Sequence, residues 1–453
     1  MKAYDIIVIG AGLGTSIVFK ALSEGLKVAL VDKAKVGGTC LNVGCVPSKT
    51  LLVPADRIRE IQEAKKLGIQ ANVARIDFAS IMERMRSVVK NGRKHMINEI
   101  RNSKHLDFYN GQGHFVDESV LKVKNDEIRG GKIFVASGAR PSIPSVKGLE
   151  DTEYLTNETV LDPGRRPKSL ILVGGGYIAV EYGHFFAGMG TKVIILQRNR
   201  RLVPNEEPEI SDLLKKKLEK HMEIYLNTGT SEVQQSRSGI IVHVKNEETG
   251  RETKLMAEKI MVATGRKSNA DLLEAKNAGI ETDETNYIKV DDYLQTNKKN
   301  IWAFGDAIGK QMFTHAGDKE AELAWHNATQ EKKMKMDFHV VPHAIFTYPQ
   351  IASVGLTEEQ ARKNYKILIG RAKYSDIVKG EAMMEEEGFA KAIVEKETER
   401  ILGFHIIGPE ASTLIQEVVN AMVNKVSIKS ITNSMHVFPA LSELIPETLN
   451  HLE

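Results

Sequence analysis

The chain has 453 residues, more than one ordinary hydrophobic core serves, so several domains are predicted. Its 62 basic and 59 acidic residues are interspersed and give a formal charge of +3, which offers no electrostatic footprint for nucleic acid. No apolar run reaches the roughly 18 residues of a membrane span, and the first residues, MKAYDIIVIG, lack the form of a signal peptide. We therefore expect a cytoplasmic enzyme that binds neither nucleic acid nor membrane.

The N-terminal stretch YDIIVIGAGLGTS predicts a βαβ unit that binds a dinucleotide. After its glycines comes a helix-like segment, and a second apolar run, KVALVD, ends at Asp32. Gly10 and Gly12 permit a tight turn and a close approach of a pyrophosphate to the helix N-terminus, while the acid bonds a ribose hydroxyl. Thr15 takes the third glycine position of this fingerprint, and Gly14 partly offsets it.

Cys40 and Cys45, the two cysteines of the chain, lie in the segment VGGTCLNVGCVPSKT. This is no disulfide framework of a secreted protein, so a close pair favours redox or metal chemistry. A helical turn brings such residues within disulfide reach, and a helix start with Lys49 nearby is expected to lower the pKa of a thiol. The alternatives are two buried structural thiols and a zinc half-site, although zinc needs further ligands that are not evident nearby.

A second dinucleotide unit begins with SLILVGGGYIAVEYGHFF. Gly174, Gly176 and Ala179 fill the three fingerprint positions after another apolar run. Two such units in one chain are a much more specific indication than one.

The end of the second strand in this unit predicts which dinucleotide binds. Gln197 stands where an NAD-dependent enzyme carries an acid, and Arg198 and Arg200 follow it. Loss of the acid beside new cations suits a 2′-phosphate, so NADPH is expected rather than NADH. The alternative is that the arginines coat a surface turn.

The last third of the chain contains a return to the first unit and then a further domain. TNKKNIWAFGDA, residues 296 to 307, is a short apolar strand that ends in Gly305 and Asp306 and would complete the interrupted first nucleotide domain. Residues 336 to 453 hold strand-like runs and a helix candidate from Thr413 to Asn424, which predict a separate α+β domain.

These motifs together resemble the FAD-dependent pyridine nucleotide–disulfide oxidoreductases over essentially the whole chain. The similarity rests on GGTCLNVGCVPSK, both fingerprints, ATGR at residues 263 to 266, the GD turn and FTYPQIASVGLTEEQA. It implies an α/β fold with two Rossmann-like domains, for FAD (residues 1–145 and 267–335) and for NAD(P) (residues 146–266). A C-terminal α+β domain (residues 336–453) would form a homodimer.

The resemblance also implies roles for individual residues. Tyr177 would cover the flavin until the nicotinamide displaces it, and Lys49 and Glu181 would form an ion pair beside the reactive flavin nitrogen. Cys45 would be the flavin-proximal thiol and Cys40 the thiol that meets the substrate, with a redox-active disulfide between them. The implied cofactor-binding residues are Gly10, Gly12, Gly14, Asp32, Thr39, Lys49, Gly138, Gly174, Gly176, Tyr177, Ile178, Glu181, Gln197, Arg198, Arg200, Gly265, Arg266, Gly305 and Asp306.

The segment HVFPALSE near the C-terminus bears on the substrate. Disulfide-reducing members of the family carry His-Pro-Thr here, with a Glu that orients the His as acid–base catalyst. In this chain Pro439 and Glu443 fix the register, which makes Glu443 a candidate catalytic residue, and Phe438 takes the place of the histidine. His436 is either a substitute base or a structural histidine at a helix start or interface.

Three functional hypotheses follow. The first is an NADPH-dependent mercuric ion reductase in which Cys40 and Cys45 bind the substrate Hg²⁺, because mercuric reductases resemble this chain in having Phe-Pro or Tyr-Pro at that place. The second is dihydrolipoyl dehydrogenase or a related disulfide reductase with an altered base. The third is a low-turnover flavin-binding or sensing protein. Many mercuric reductases carry a C-terminal cysteine pair that is not seen here, so the metal would need other ligands or a small thiol for delivery.

Overall fold

The computed structural model describes all residues from Met1 to Glu453. The chain divides into two compact units: the first comprises Met1–Ser48, Glu83–Ser142 and Gly265–Phe338, and the second Lys49–Met82, Ile143–Thr264 and His339–Glu453. The three-domain division stays a prediction, and residues 49–82, which it assigned to the FAD domain, belong to the second unit. No helix is both long enough and apolar enough to span a membrane.

Helices and strands alternate through both glycine-containing segments, and the α/β fold class is confirmed. The helices are α1 (Gly14–Ser23), α2 (Gly38–Val43), α3 (Cys45–Glu63), α4 (Phe78–Asn102), α5 (Tyr177–Gly188), α6 (Pro208–Leu218), α7 (Thr314–Thr329), α8 (Glu358–Arg362), α9 (Val378–Ala382), α10 (Ala411–Val423), α11 (Lys429–Thr432) and α12 (Leu444–Asn450). The strands are β1 (Lys2–Ile9), β2 (Val28–Asp32), β3 (Leu106–Asn110), β4 (Gly113–Asp117), β5 (Val120–Val123), β6 (Asp126–Val135), β7 (Ala139–Pro141), β8 (Tyr154–Leu155), β9 (Ser169–Val173), β10 (Lys192–Leu196), β11 (Glu223–Tyr225), β12 (Thr228–Ser236), β13 (Gly239–Asn246), β14 (Glu252–Ala257), β15 (Lys259–Val262), β16 (Arg266–Ser268), β17 (Ile301–Ala303), β18 (His343–Ile345), β19 (Gln350–Gly355), β20 (Ile367–Lys373), β21 (Phe389–Glu395) and β22 (Ile401–Gly408).

The first unit is built on a seven-stranded sheet in the order β3-β2-β1-β6-β5-β4, and β17 also pairs with β6. Strands β3, β2, β1, β6 and β17 run parallel, whereas β5 and β4 form an antiparallel extension. Apolar residues of β1 and β2 such as Ile7, Val8 and Leu30 are fully buried, as expected for central parallel strands. The carboxyl ends of β1 and β2 therefore present the first glycine turn and Asp32 at one edge of the sheet.

The second unit contains a five-stranded parallel sheet, β11-β10-β9-β15-β8, which holds the second glycine turn between β9 and α5. An antiparallel meander, β12-β13-β14, shares a buried core with this sheet. The residues that follow position 339 form an antiparallel sheet, β18-β19-β22-β21-β20, packed with α10 and α12. The helix predicted for residues 413 to 424 is α10, which begins two residues earlier and ends one residue earlier.

A buried lysine lies among three carboxylates within the second unit. The Lys391 side chain on β21 is 1% exposed, and its Nζ lies 2.7 Å from Glu207 Oε2, 2.8 Å from Glu358 Oε2 and 2.9 Å from Glu209 Oε1. The three carboxylates are close enough together to ligate a metal ion, but the ammonium group already bonds to each of them. Pairing of this kind offsets the large cost of burying isolated charges.

Candidate active site

The two cysteines occupy adjoining helices of the first unit and are in the thiol form. Cys40 lies in α2 and Cys45 is the first residue of α3. Gly44 makes the sharp turn between these helices possible, because a Cβ there would lie 2.9 Å from the Thr39 carbonyl oxygen and 3.2 Å from Cys40 Cα. The turn brings the Cys45 thiol within hydrogen-bonding reach of Cys40.

Thr314, the first residue of α7, contacts the thiol pair. Its Oγ1 lies 3.4 Å from Cys45 Sγ. Because α3 and α7 both begin here, their N-terminal dipoles favour an anion at this point. Thr314 did not emerge from the sequence; its hydroxyl at the start of a helix that follows the GD turn is the feature that could have indicated it.

The expectation of a lowered thiol pKa is wrong for Cys40. Its hydrogen bond with Cys45 and its burial raise the pKa of the Cys40 thiol far above the usual range, and the Thr314 hydroxyl only partly opposes them. The sequence-based expectation took no account of the hydrogen bond with a second thiol or of the loss of water, and these two causes set the direction of the shift. Cys40 therefore keeps its proton when the pair is reduced.

The first glycine turn has the backbone that a pyrophosphate site needs. Gly10 has φ 111°, and a Cβ there would overlap the carbonyl oxygen of Ala136. Gly14 opens α1, and a Cβ there would come within 2.6 Å of Val8 Cγ1. Gly14 therefore supplies the close packing of helix on strand that the fingerprint assigns to its third glycine.

Side-chain hydrogen bonds complete this turn. The Asp32 carboxylate accepts from Ala11 N at 2.6 Å and from Ala34 N at 2.7 Å, which fixes the acid at the end of β2. Thr15 is buried and donates from Oγ1 to Gly12 O at 2.8 Å, so the hydroxyl satisfies itself locally where a glycine was expected. The turn and the acid lie together, as the sequence predicted.

Two side chains of the first unit, Arg266 and Glu320, each have a buried polar atom without a hydrogen-bond partner. Arg266 Nε lies 3.2 Å from Asp306 Oδ2 but makes no hydrogen bond, and burial raises the pKa of Asp306 even though Arg266 opposes it. Glu320 of α7 is fully buried; its Oε2 accepts from Gly305 N at 2.6 Å, and its Oε1 has no hydrogen-bond partner. The sequence analysis missed Glu320, which lies inside a helix with no motif around it.

These residues fit FAD. A buried donor at Arg266 and a buried acceptor at Glu320 suit a polar ligand, the Gly10 turn suits its pyrophosphate and Asp32 its ribose. The remaining predicted positions are Thr39 within α2, Gly138 after β6 with φ 67°, and Gly265 just before β16 with φ 115°.

In the second unit, an ion pair and a hydrogen bond join α3 to α5. Lys49 Nζ lies 2.8 Å from Glu181 Oε2, and the Glu181 side chain is 8% exposed. The same carboxylate accepts from Phe346 N at 3.0 Å, and Lys49 Nζ lies 4.7 Å from the centre of the Phe346 ring. Asp56 Oδ1 and His184 Nε2 form the hydrogen bond, at 2.7 Å. The structure thus brings Lys49 and Glu181 together, as predicted.

The second glycine turn repeats the backbone of the first. Gly174 has φ 116°, and a Cβ there would overlap the carbonyl oxygen of Ala263. Gly176 is the N-cap of α5, and Tyr177 and Ile178 are its first two residues. A Cβ at Gly176 would meet nothing within 4 Å, so the space beside the helix N-terminus is open to a ligand.

The end of β10 carries a neutral side chain and free cations. Gln197 is 5% exposed and donates from Nε2 to Arg201 O at 3.0 Å. Arg201 is paired with Asp212 at 3.0 Å, whereas Arg198 and Arg200 are exposed and take part in no ion pair. Two unpaired arginines at this edge are able to bind an added phosphate.

The C-terminal segment holds an exposed aromatic side chain between two engaged polar ones. Phe438 is 69% exposed. His436 is turned to α10, where its Nε2 lies 3.0 Å from Glu417 Oε1. Glu443 caps the short turn before α12 by accepting from Ala440 N at 3.0 Å. His436 and Glu443 thus hydrogen-bond to other groups and not to each other, so they do not form a Glu–His couple within the chain.

Comparison with known proteins places these features in one family. Residues 4–331 match the family described as pyridine nucleotide-disulphide oxidoreductase, and residues 341–449 match its dimerisation domain. A mercuric reductase of Lysinibacillus sphaericus is 33% identical over 97% of this chain and 81% of the relative. A dihydrolipoyl dehydrogenase of Bacillus subtilis is 30% identical over 98% of this chain and 97% of the relative.

A solved structure shares the whole fold. The Cu(II) complex of the HOCl-induced flavoprotein disulfide reductase RclA from Escherichia coli aligns with a TM-score of 0.89 and 28% identity over 99% of both chains. With two adjacent family matches, two glycine turns and a cysteine pair between them, the chain belongs to the FAD-dependent pyridine nucleotide–disulphide oxidoreductases.

Proposed function

We propose that this oxidoreductase is an NADPH-dependent metal-ion reductase whose principal substrate is mercuric ion. In the overall reaction NADPH gives up a hydride, its two electrons reduce Hg²⁺ to Hg⁰, and one proton is released. FAD, when bound, supplies the two-electron chemistry that links the dinucleotide to the thiols. The protein is expected to act in the cytoplasm as a homodimer, through residues that match the dimerisation domain.

The thiol pair supports a soft-metal substrate. Thiolates are the ligands that soft cations prefer, and the helix dipoles at Cys45 favour its ionised form. The raised pKa of Cys40 supports the assignment of the resting thiolate to Cys45, so Cys40 releases its proton as the metal binds. Thr314 holds its hydroxyl beside Cys45 Sγ and is able to stabilise a developing thiolate.

The observation that carries the proposal is the C-terminal segment. Reduction of a disulfide produces two thiols and needs a positioned acid, whereas reduction of a thiolate-bound metal ion does not. The segment presents the exposed Phe438 at the register position of that acid. His436 bonds to Glu417, and Glu443 caps a backbone turn. The comparison with a mercuric reductase, and with a reductase solved as a Cu(II) complex, supports the same substrate class.

The unpaired cations Arg198 and Arg200 support NADPH as the donor. A 2′-phosphate is the group that distinguishes NADPH from NADH, and an acid at position 197 would repel it. The neutral Gln197 is instead engaged with the backbone of Arg201.

One experiment decides between the acceptors. NADPH oxidation by the purified protein is measured with mercuric ion in excess small thiol, with Cu(II), with lipoamide and with glutathione disulfide. We expect a mercury-dependent rate that is absent with the disulfides. A rate with lipoamide or glutathione disulfide instead would identify a disulfide reductase, and no rate with any acceptor would identify a flavin-binding or sensing protein.

Restoring the missing acid tests the central observation. Phe438→His is expected to raise disulfide reduction by about 100-fold or more, the usual contribution of a general acid, and to leave mercury reduction within about threefold. His436→Gln is the matched control and should alter neither activity. Loss of an existing disulfide activity in His436→Gln would show that His436 is the base and would remove the main support for a metal substrate.

The cysteines are tested separately. Cys45→Ser is expected to abolish the thiolate-to-flavin charge-transfer absorbance and all acceptor reduction. Cys40→Ser is expected to keep the absorbance and stop turnover. A fully active Cys40→Ser variant would refute the dithiol mechanism.

A further inference from the structure

A buried carboxylate joins three side chains of the second unit that are far apart in the chain. The Glu206 side chain, between β10 and α6, is 0% exposed. Its Oε1 accepts from the Tyr177 hydroxyl at 2.7 Å and from His343 Nε2 at 2.7 Å. Its Oε2 accepts from Ser353 Oγ at 2.7 Å. Every oxygen of the carboxylate is therefore engaged, and two of its three donors bond to the same atom.

The charge on Glu206 makes these hydrogen bonds strong. Burial alone raises its pKa, but the hydrogen bonds from His343, Ser353 and Tyr177 outweigh burial and lower the pKa of Glu206 to about 2. Hydrogen bonds to an ionised acceptor are roughly twice as strong as neutral ones. The face of the Tyr177 ring also has a partner, because it stacks on the His343 ring with centroids 5.6 Å apart and planes 18° from parallel.

Tyr177 lies where a dinucleotide would meet it. It is the first residue of α5 and follows Gly176, beside which the structure leaves open space. The fingerprint directs a pyrophosphate to this helix N-terminus, and the nicotinamide half extends onward from it. The hydrogen bond to Glu206 and the stacking on His343 thus fix the aromatic side chain of the first residue of this helix.

We propose that Glu206 and His343 are positioning residues that hold Tyr177 in its ligand-free place, and that the nicotinamide dinucleotide must break the Tyr177–Glu206 hydrogen bond to bind. The inference rests on the proposed function, since it presupposes that this turn binds NADPH. Part of the intrinsic affinity for the dinucleotide is then spent on displacing the ring. Weakening the hydrogen bond should tighten dinucleotide binding, the opposite of the usual result of a mutation in a binding site.

The test measures NADP⁺ binding by calorimetry to the FAD-loaded dimer. Glu206→Gln keeps the shape and removes the charge, and Tyr177→Phe keeps the ring and removes the hydroxyl. Tyr177→Phe is expected to tighten NADP⁺ binding by roughly tenfold, the size of one charge-assisted hydrogen bond. Glu206→Gln should tighten it by less, because its amide oxygen still accepts a neutral hydrogen bond. The double variant should be no tighter than Tyr177→Phe, because the charge on Glu206 has no Tyr177 bond to strengthen once the hydroxyl is gone. The KM for NADPH should fall in parallel while kcat stays level or falls.

Tyr182→Phe is the matched control. Tyr182 lies on the same helix, and its buried hydroxyl makes no hydrogen bond, so the same substitution should leave NADP⁺ affinity unchanged. Unchanged or weaker binding in Tyr177→Phe, or additive effects in the double variant, would overturn the proposal. If Glu206→Gln fails to fold, Tyr177→Phe still decides, since it leaves the buried charge in place. A wild-type protein that binds neither NADP⁺ nor NAD⁺ would refute the proposed function and this inference together, whereas normal binding with unresponsive variants would refute this inference alone.

Discussion

The two glycine turns have nearly the same backbone and different strand ends. Gly10 and Gly174 have φ 111° and 116°, and in each turn a Cβ would overlap a carbonyl oxygen. The first turn faces Asp32, whose carboxylate is fixed by two backbone N–H groups. The second faces the neutral Gln197, with unpaired arginines after it. The difference teaches that the same glycine turn can be followed by strand ends of different charge, and we expect the residue at the strand end to select the ligand.

The largest effect is expected from Gly10→Ala. The new Cβ must displace the Ala136 carbonyl, which costs on the order of 4 kcal/mol or more, and the turn can then no longer hold a pyrophosphate. We expect the purified variant to lack most of its FAD, as measured by flavin absorbance per mole of protein. Gly25→Ala is the control, because Gly25 has φ 77° but a Cβ there would meet nothing within 4 Å. Loss of FAD in both variants would assign the effect to backbone strain instead of close approach.

The second-largest effect is expected in the pH dependence of the stability of the first unit, through Glu320. Burial raises the pKa of Glu320 to about 7, although the Gly305 N–H opposes it. A raised carboxyl pKa means that its contribution to stability is complete below the ordinary carboxyl pKa of 4.5 and is lost as the pH rises through about 7. In FAD-free protein, the stability of the wild type relative to Glu320→Gln should therefore fall by roughly 3 kcal/mol over that range. Urea unfolding at several pH values measures it, and parallel pH profiles for the two proteins would contradict it.

Gly174→Ala should affect the second turn alone. The overlap with the Ala263 carbonyl is expected to raise the KM for NADPH by about 100-fold while FAD content stays at the wild-type level. Gly250→Ala, at φ 70° with nothing within 4 Å of a Cβ, is the control in the same unit. A Gly174→Ala protein that loses FAD would show that the two turns are not independent.

The smallest effect concerns the arginines. Replacing Arg198 or Arg200 by Gln should lower kcat/KM for NADPH by about tenfold and leave NADH unaffected, since the 2′-phosphate loses one charge-assisted contact. The loss should shrink at high salt. Arg201→Gln is the control, because Arg201 is already paired with Asp212. Equal losses of kcat/KM with NADPH and NADH would show that the arginines do not recognise the 2′-phosphate.

Features set by short spacings were predictable from the sequence. Both glycine turns, Asp32 and the cysteine pair depend on residues within one βαβ unit or one helical turn. The contacts of Glu206 with His343 and of Lys391 with Glu207 join residues 137 and 184 positions apart, and no periodicity marks them. The raised pKa of Cys40 was missed for a related reason, because burial is a property of the packed chain.

The arrangement around Lys391 has a consequence for an enzyme proposed to handle metal ions. Three converging carboxylates commonly bind a divalent cation that stabilises the fold, and such a cation can exchange with solvent. Here the cation is a side chain of the polypeptide, so a chelator cannot remove it. The contacts that link β21 with Glu207, Glu209 and Glu358 therefore need no bound metal ion.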